Sequence, residues 1–186
     1  FIELLYHILF RRKSIEEIYK NYPNIPYISP ERDLAEINFS KVVPRKNMEE
    51  TSEGLLPGDI ILLWRIQFGT FTTETSFSKY FEYIYGINGK EHLEFLIKNG
   101  FVRMESPLDS LDHLSAPLLK LFLKEKNVKG LSKMKRSDLD QAIAIAFTEE
   151  ELGKLFVVRG LALTEKGLAA LSNNQEVIDR HPKKKF

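Results

Sequence analysis

The sequence predicts a mainly α-helical chain with a short β-hairpin, into which a basic two-helix module is inserted. Three observations lead there. Helical segments with recognisable stops follow one another between Pro57 and Asn99. Two strand-like runs, Phe101–Met104 and Leu161–Leu163, stand far apart in the chain. Between them lies LLKLFLKEKNVKGLSKMKRSDLDQAI, Leu118 to Ile143, which reads as two amphipathic helices joined by a lysine-rich loop.

The elements can be justified in order. FIELLYHILF, followed by Arg11, Arg12 and Lys13, reads as an amphipathic helix reaching about Tyr22; it lacks the charge placement and small-residue cleavage site of a signal peptide. The chain opens on Phe1 rather than methionine, which suggests a piece of a longer protein. From Pro23 to Pro57 prolines favour turns and extended backbone, with a short strand or anchored loop expected around Ile37, Phe39 and Val42. Tyr19, Tyr22 and Tyr27 are candidates for stacking on bases, but their spacing favours core or loop packing.

Helices are then expected over Pro57–Gln67, Ser76–Tyr85 and Asn88 or Gly89 to Asn99, the last with Leu93, Leu96 and Ile97 on one face and Gly100 ending it. In the basic module Ser115 is a plausible N-cap and Pro117 suits the first turn. Leu118, Leu119, Phe122 and Leu123 form an apolar stripe, and Asn127 ends the helix. Val128, Leu131 and Met134 can turn inward from the loop, with Gly130 permitting an unusual backbone angle. Ser137 is expected to cap the second helix, whose buried face is Leu139, Ala142, Ile143 and Ala146. Phe156–Leu163 reads as a hairpin or strand, and Thr164 caps a final helix through Leu171.

Charge points to a partner. The chain carries 27 basic and 26 acidic residues, net +1. Yet Lys120, Lys124, Lys126, Lys129, Lys133, Lys135 and Arg136 face only Glu125 within their span, a local excess suited to phosphate neutralisation. The other reading of such a run is a solvated face.

NVKGLSKMKRSDLDQAI resembles the helix-extended-loop-helix domain at the N-terminus of transcription termination factor Rho, and is similar in plan to SAP domains. It departs from SAP in carrying Met134 where a glycine usually precedes the two basic residues. The resemblance implies DNA or RNA contact through Lys133, Lys135 and Arg136, though relatives of this plan also bind proteins. LEFLIKNGFV and LALTEKGLAAL resemble parts of winged-helix proteins, which implies that the two strand runs pair as wing strands around the inserted module. That resemblance implies a groove-entering third helix offering Lys90, His92 and Lys98, with Arg103 beyond it; Glu91 and Glu94 weaken this face. The expected organisation is thus 1–56, a winged-helix-like core of 57–104 plus 155–173, a module at 115–147 and a basic tail at 174–186.

No chemistry-bearing constellation stands out. No cysteine is present, which removes disulfides and thiol catalysis and suits a reducing cytoplasm. His7, His92, His113 and His181 lack metal-ligand spacing, and no phosphate-binding glycine loop occurs. A nuclease would need convergent acids, for which Asp109, Asp112, Asp138 and Asp140 are the candidates. Glu149–Glu151 and the pair Glu49 and Glu50 suit helix starts or solvent faces. Apolar runs such as Ile60–Trp64 are far below the roughly 20 residues of a membrane span. The expectation is a cytoplasmic, non-catalytic, cofactor-free protein without a metal site, binding DNA or RNA, of phage or mobile-element origin; the competing class is a protein-interaction adaptor.

Overall fold

The computed structural model describes residues 13–37 and 41–183. The expected helix across residues 1–12, and with it His7, lies outside them, as do Phe39 and the last three residues of the tail. In chain order the helices are α1 (Ile15–Tyr19), α2 (Pro57–Gln67), α3 (Tyr80–Tyr83) and α4 (Gly89–Lys98), followed by strand β1 (Val102–Met104). After it come α5 (Ala116–Glu125), α6 (Arg136–Ala146), α7 (Glu149–Leu155), β2 (Leu161–Leu163), α8 (Glu165–Asn173) and α9 (Gln175–Asp179). The protein is mainly helical, with a small two-stranded antiparallel sheet. It divides into two compact units, one drawn from Phe1–Leu62, Phe77–Lys98 and Ala169–Phe186, the other from Leu63–Ser76 and Asn99–Leu168.

In the first unit Ser14 caps α1 by accepting the Glu17 N–H at 3.3 Å. Tyr19, Ile37, Val43 and Met48 form a buried cluster, with the Tyr19 and Tyr22 rings edge-on at 4.8 Å. These two tyrosines are therefore packing groups. Ile37 closes a 3-10 turn, Leu34–Ile37, and is fully buried there. The N-terminal half of α2 is buried on every side, with Ile60, Ile61 and Leu62 fully so, and its register is set by burial rather than by a stripe. Asp59, three residues into the helix, accepts the Leu56 N–H at 2.9 Å and holds its start. The expected Ser76–Tyr85 helix shrinks to α3. Phe77 packs so tightly over Gly89 that a Cβ there would overlap its ring, and this contact holds the 76–79 segment out of the helix. Near the C-terminus the Tyr85 hydroxyl meets His181 Nδ1 at 2.6 Å, and burial pushes the Tyr85 pKa up to about 12.

In the second unit β1 and β2 pair antiparallel, Val102 opposite Leu163, Arg103 opposite Ala162 and Met104 opposite Leu161. The expected pairing across the inserted module is thus present, with residues 105–160 between the two strands. The Glu105 N–H donates to Gly160 O at 2.8 Å and extends the ladder by one step. On the other edge Leu161 N–H donates to Phe71 O at 3.0 Å and Thr73 N–H to Arg159 O at 2.9 Å, around a bridge between Thr72 and Gly160. The strand expected from Phe156 is confined to Leu161–Leu163; Phe156 itself is buried in a helical core. Thr164 caps α8 through the Gly167 N–H at 3.2 Å, as its sequence predicts.

Candidate nucleic-acid interface

The basic segment lies wholly in the second unit, running from α5 through the connecting loop to the start of α6. Ser115 caps α5 by accepting the Leu118 N–H at 3.4 Å. The helix ends on Lys126; Asn127 adopts φ +57° and its N–H donates to Lys124 O at 3.0 Å, while Val128 N–H reaches back to Leu123 O at 3.1 Å. This paired closure satisfies the last carbonyls and turns the chain sharply. Gly130 follows at φ +77°, a region that costs any side-chain-bearing residue energy. Leu131–Lys133 then make a 3-10 turn. Val128, Leu131 and Met134 pack against the core of Leu119, Phe122, Leu123, Leu139, Ile143, Leu152 and others, so the loop is pinned at three points.

That pinning decides where the lysines go. With every third residue turned inward, Lys129, Ser132, Lys133 and Lys135 are left exposed, as is Lys124 on α5. Among the described residues no ion pair is found for Lys124, Lys129, Lys133 or Lys135. Lys120 is half-buried on α5. Lys126 is differently placed: its ammonium bonds Glu151 at 3.0 Å and lies 4.9 Å from the Phe147 ring centre. That hydrogen bond holds the Glu151 carboxyl below the usual carboxylate range.

Arg136 is committed inside the module. Its Nε donates to Asp140 at 3.0 Å, Nη1 to Leu114 O at 2.8 Å and Nη2 to Leu111 O. The guanidinium thus ties the first turn of α6 to the turn preceding α5. The cap of α6 also differs from expectation. Its N-cap lies two residues earlier, at Lys135, and the Asp138 carboxylate accepts the Lys135 N–H at 2.9 Å, leaving Ser137 exposed within the first turn. Thr148 and Glu151 exchange bonds at the start of α7, Thr148 Oγ1 accepting from Glu151 N–H at 3.1 Å, so one acid of the Glu149–Glu151 run is a cap.

The secondary candidates on α4 are more modest. Lys90 and Lys98 are exposed, as are Glu91 and Glu94. His92 Nδ1 lies 2.6 Å from Asp59 Oδ1, joining α4 to the start of α2 within the first unit. Arg103 is exposed on β1.

Of the four candidate acids, Asp138 and Asp140 serve α6 and Asp109 is exposed. Asp112 belongs to a group that spacing along the chain did not reveal. Ligand atoms of Glu105, Asp112 and His113 all lie within 4.8 Å of one another. The adjacent Asp112 and His113 were the only hint in the sequence, and the residue that completes the group follows β1. Among the described residues no helix is long and apolar enough to cross a membrane. Comparison with protein-family models, curated proteins and solved structures found no match.

Proposed function

We propose that this protein binds DNA or RNA non-catalytically, holding phosphates with the lysines of the loop between α5 and α6. The observation that carries the reading is a loop packed on the core through Val128, Leu131 and Met134 and presenting Lys129, Lys133 and Lys135, with Lys124 beside it, all exposed and without ion pairs among the described residues. Lysines held on a fixed frame lose less freedom on meeting a polyanion than lysines on a mobile tail. This resembles the Rho N-terminal and SAP plan, and the order of elements around it, with β1 and β2 paired across the insertion, fits a winged-helix-like frame.

Arg136 is kept out of the contact set because its guanidinium is used internally. The test is a fluorescence-anisotropy titration of labelled single- and double-stranded DNA and RNA over a salt series, with wild type and Lys129→Glu/Lys133→Glu/Lys135→Glu. Wild type is expected to bind with affinity falling steeply as salt rises. The variant should fold normally, bind at least ten-fold more weakly, and lose about 3 from the log–log salt slope on duplex DNA. Absence of salt-sensitive binding by wild type at low salt overturns the reading.

A protein-docking role is the second reading, favoured by Ile145 and Val157, which are 87% and 80% exposed in the same unit. Wild type that ignores nucleic acid, together with an Ile145→Ser/Val157→Ser variant that loses a protein partner, would favour it.

A further inference from the structure

We propose that Glu105, Asp112 and His113 form a binding site for a divalent transition-metal ion of the zinc class. The three residues come from two places that only the fold brings together. Glu105 follows β1 and is held by its N–H bond to Gly160 O at 2.8 Å. Asp112 and His113 lie in the 3-10 turn Leu111–His113, anchored through fully buried Ser110, whose hydroxyl accepts the Gly160 N–H at 3.0 Å. Gly160 is therefore the shared floor. A Cβ at position 160 would overlap Glu105 Oε2 and stand 2.8 Å from His113 Nε2, so both atoms face the same small space above a residue with no side chain.

The donors are free to bind. Among the described residues nothing bonds the Glu105 carboxylate, and His113 Nε2 has only Asp112 Oδ1 at 3.5 Å. Metal–ligand distances of about 2.0–2.2 Å place neighbouring donors about 3.3 Å apart in a tetrahedral shell. The His113–Asp112 separation already matches such an edge. Glu105, on a flexible stem, needs a rotamer adjustment of about 1.5 Å or less to join from the 4.8 Å limit. One imidazole with two carboxylates suits zinc, manganese or iron better than magnesium, which takes an all-oxygen, largely hydrated shell. Asp112 is 67% exposed and the His113 ring only 12%, so one wall of the site is buried and the other is open to water or an anionic ligand as a fourth donor. A bound ion would tie the end of β1 to the turn that leads into α5. This inference stands on its own geometry and not on the nucleic-acid reading.

The experiment is calorimetric titration of the tag-free full chain with zinc, manganese or magnesium chloride, followed by cobalt(II) absorption at the same stoichiometry. Expected are one zinc ion per chain, magnesium at least ten-fold weaker, and a loss of about ten-fold or more in zinc affinity for each of Glu105→Gln, Asp112→Asn and His113→Gln. His92→Gln and His181→Gln should bind like wild type. Asp112→Asn alters an exposed side chain and keeps the test valid should the His113 variant fail to fold. Absence of stoichiometric zinc binding by wild type overturns the proposal, as does affinity unchanged in Asp112→Asn and Glu105→Gln.

Discussion

Arg136 shows how a residue's type can mislead about its role. By charge it belongs to the basic run, yet its fork reaches two carbonyls, Leu111 and Leu114, that lie more than twenty residues earlier. Arg136→Ala removes a donor from both carbonyls, leaving Leu111 O with the Leu114 N–H at 3.0 Å, and with a side chain 39% exposed the cost is expected to be about 1–2 kcal/mol. Urea denaturation measures it, and Arg136→Lys should recover only part, because an ammonium cannot span both carbonyls and Asp140. Glu53 makes a second prediction at this scale. The Asn174 side-chain amide at 3.0 Å, with Asn173 at 3.1 Å, lowers its pKa from 4.5 to about 2. A carboxyl whose folded pKa is depressed contributes stability above its unfolded pKa and loses it as pH falls towards the folded value. Stability should therefore drop as pH goes from about 4.5 to about 2, and Glu53→Gln should flatten that limb in an acid-denaturation series. The exposed setting keeps the effect small.

Among the elements, those bounded by local signals match their sequence best. Pro57–Gln67 and Gly89–Lys98 appear at their expected places, and Ser115, Pro117, Asn127 and Gly130 each do what their chemistry suggests. Gly130→Ala should cost about 1 kcal/mol, since nothing lies near its missing Cβ and only the backbone angle is strained. Asn127→Gly should stabilise by a few tenths of a kcal/mol for the converse reason. Leu119→Ala empties a fully buried position between α5 and α6 and is expected to cost about 2–5 kcal/mol. Thermal or urea melts rank all three. The elements read less well were those decided by neighbours. The 76–85 segment is apolar enough for a helix, but Phe77 is drawn onto Gly89; Ser137 is chemically a good cap, but Asp138 reaches the Lys135 N–H first.

For the whole molecule, charge distribution matters more than charge. A net +1 gives little long-range attraction, so binding to a polyanion should depend on the local cluster. Lys90→Glu/Lys98→Glu on α4 should leave the salt slope of duplex binding within about 1 of wild type, in contrast to the loop variant, when both are followed by anisotropy. The amino-acid order by itself determined the helical class, the basic loop and its inward anchors, because caps, glycine angles and 3.6-residue periodicity act within a few residues. Tertiary structure alone decided which basic groups stay free, by sending Arg136 to Leu111 and Leu114 and Lys126 to Glu151. It also gathered Glu105, Asp112 and His113 over Gly160. That last grouping depends on strand pairing across residues 105–160, and no local pattern encodes which distant backbone will lie alongside.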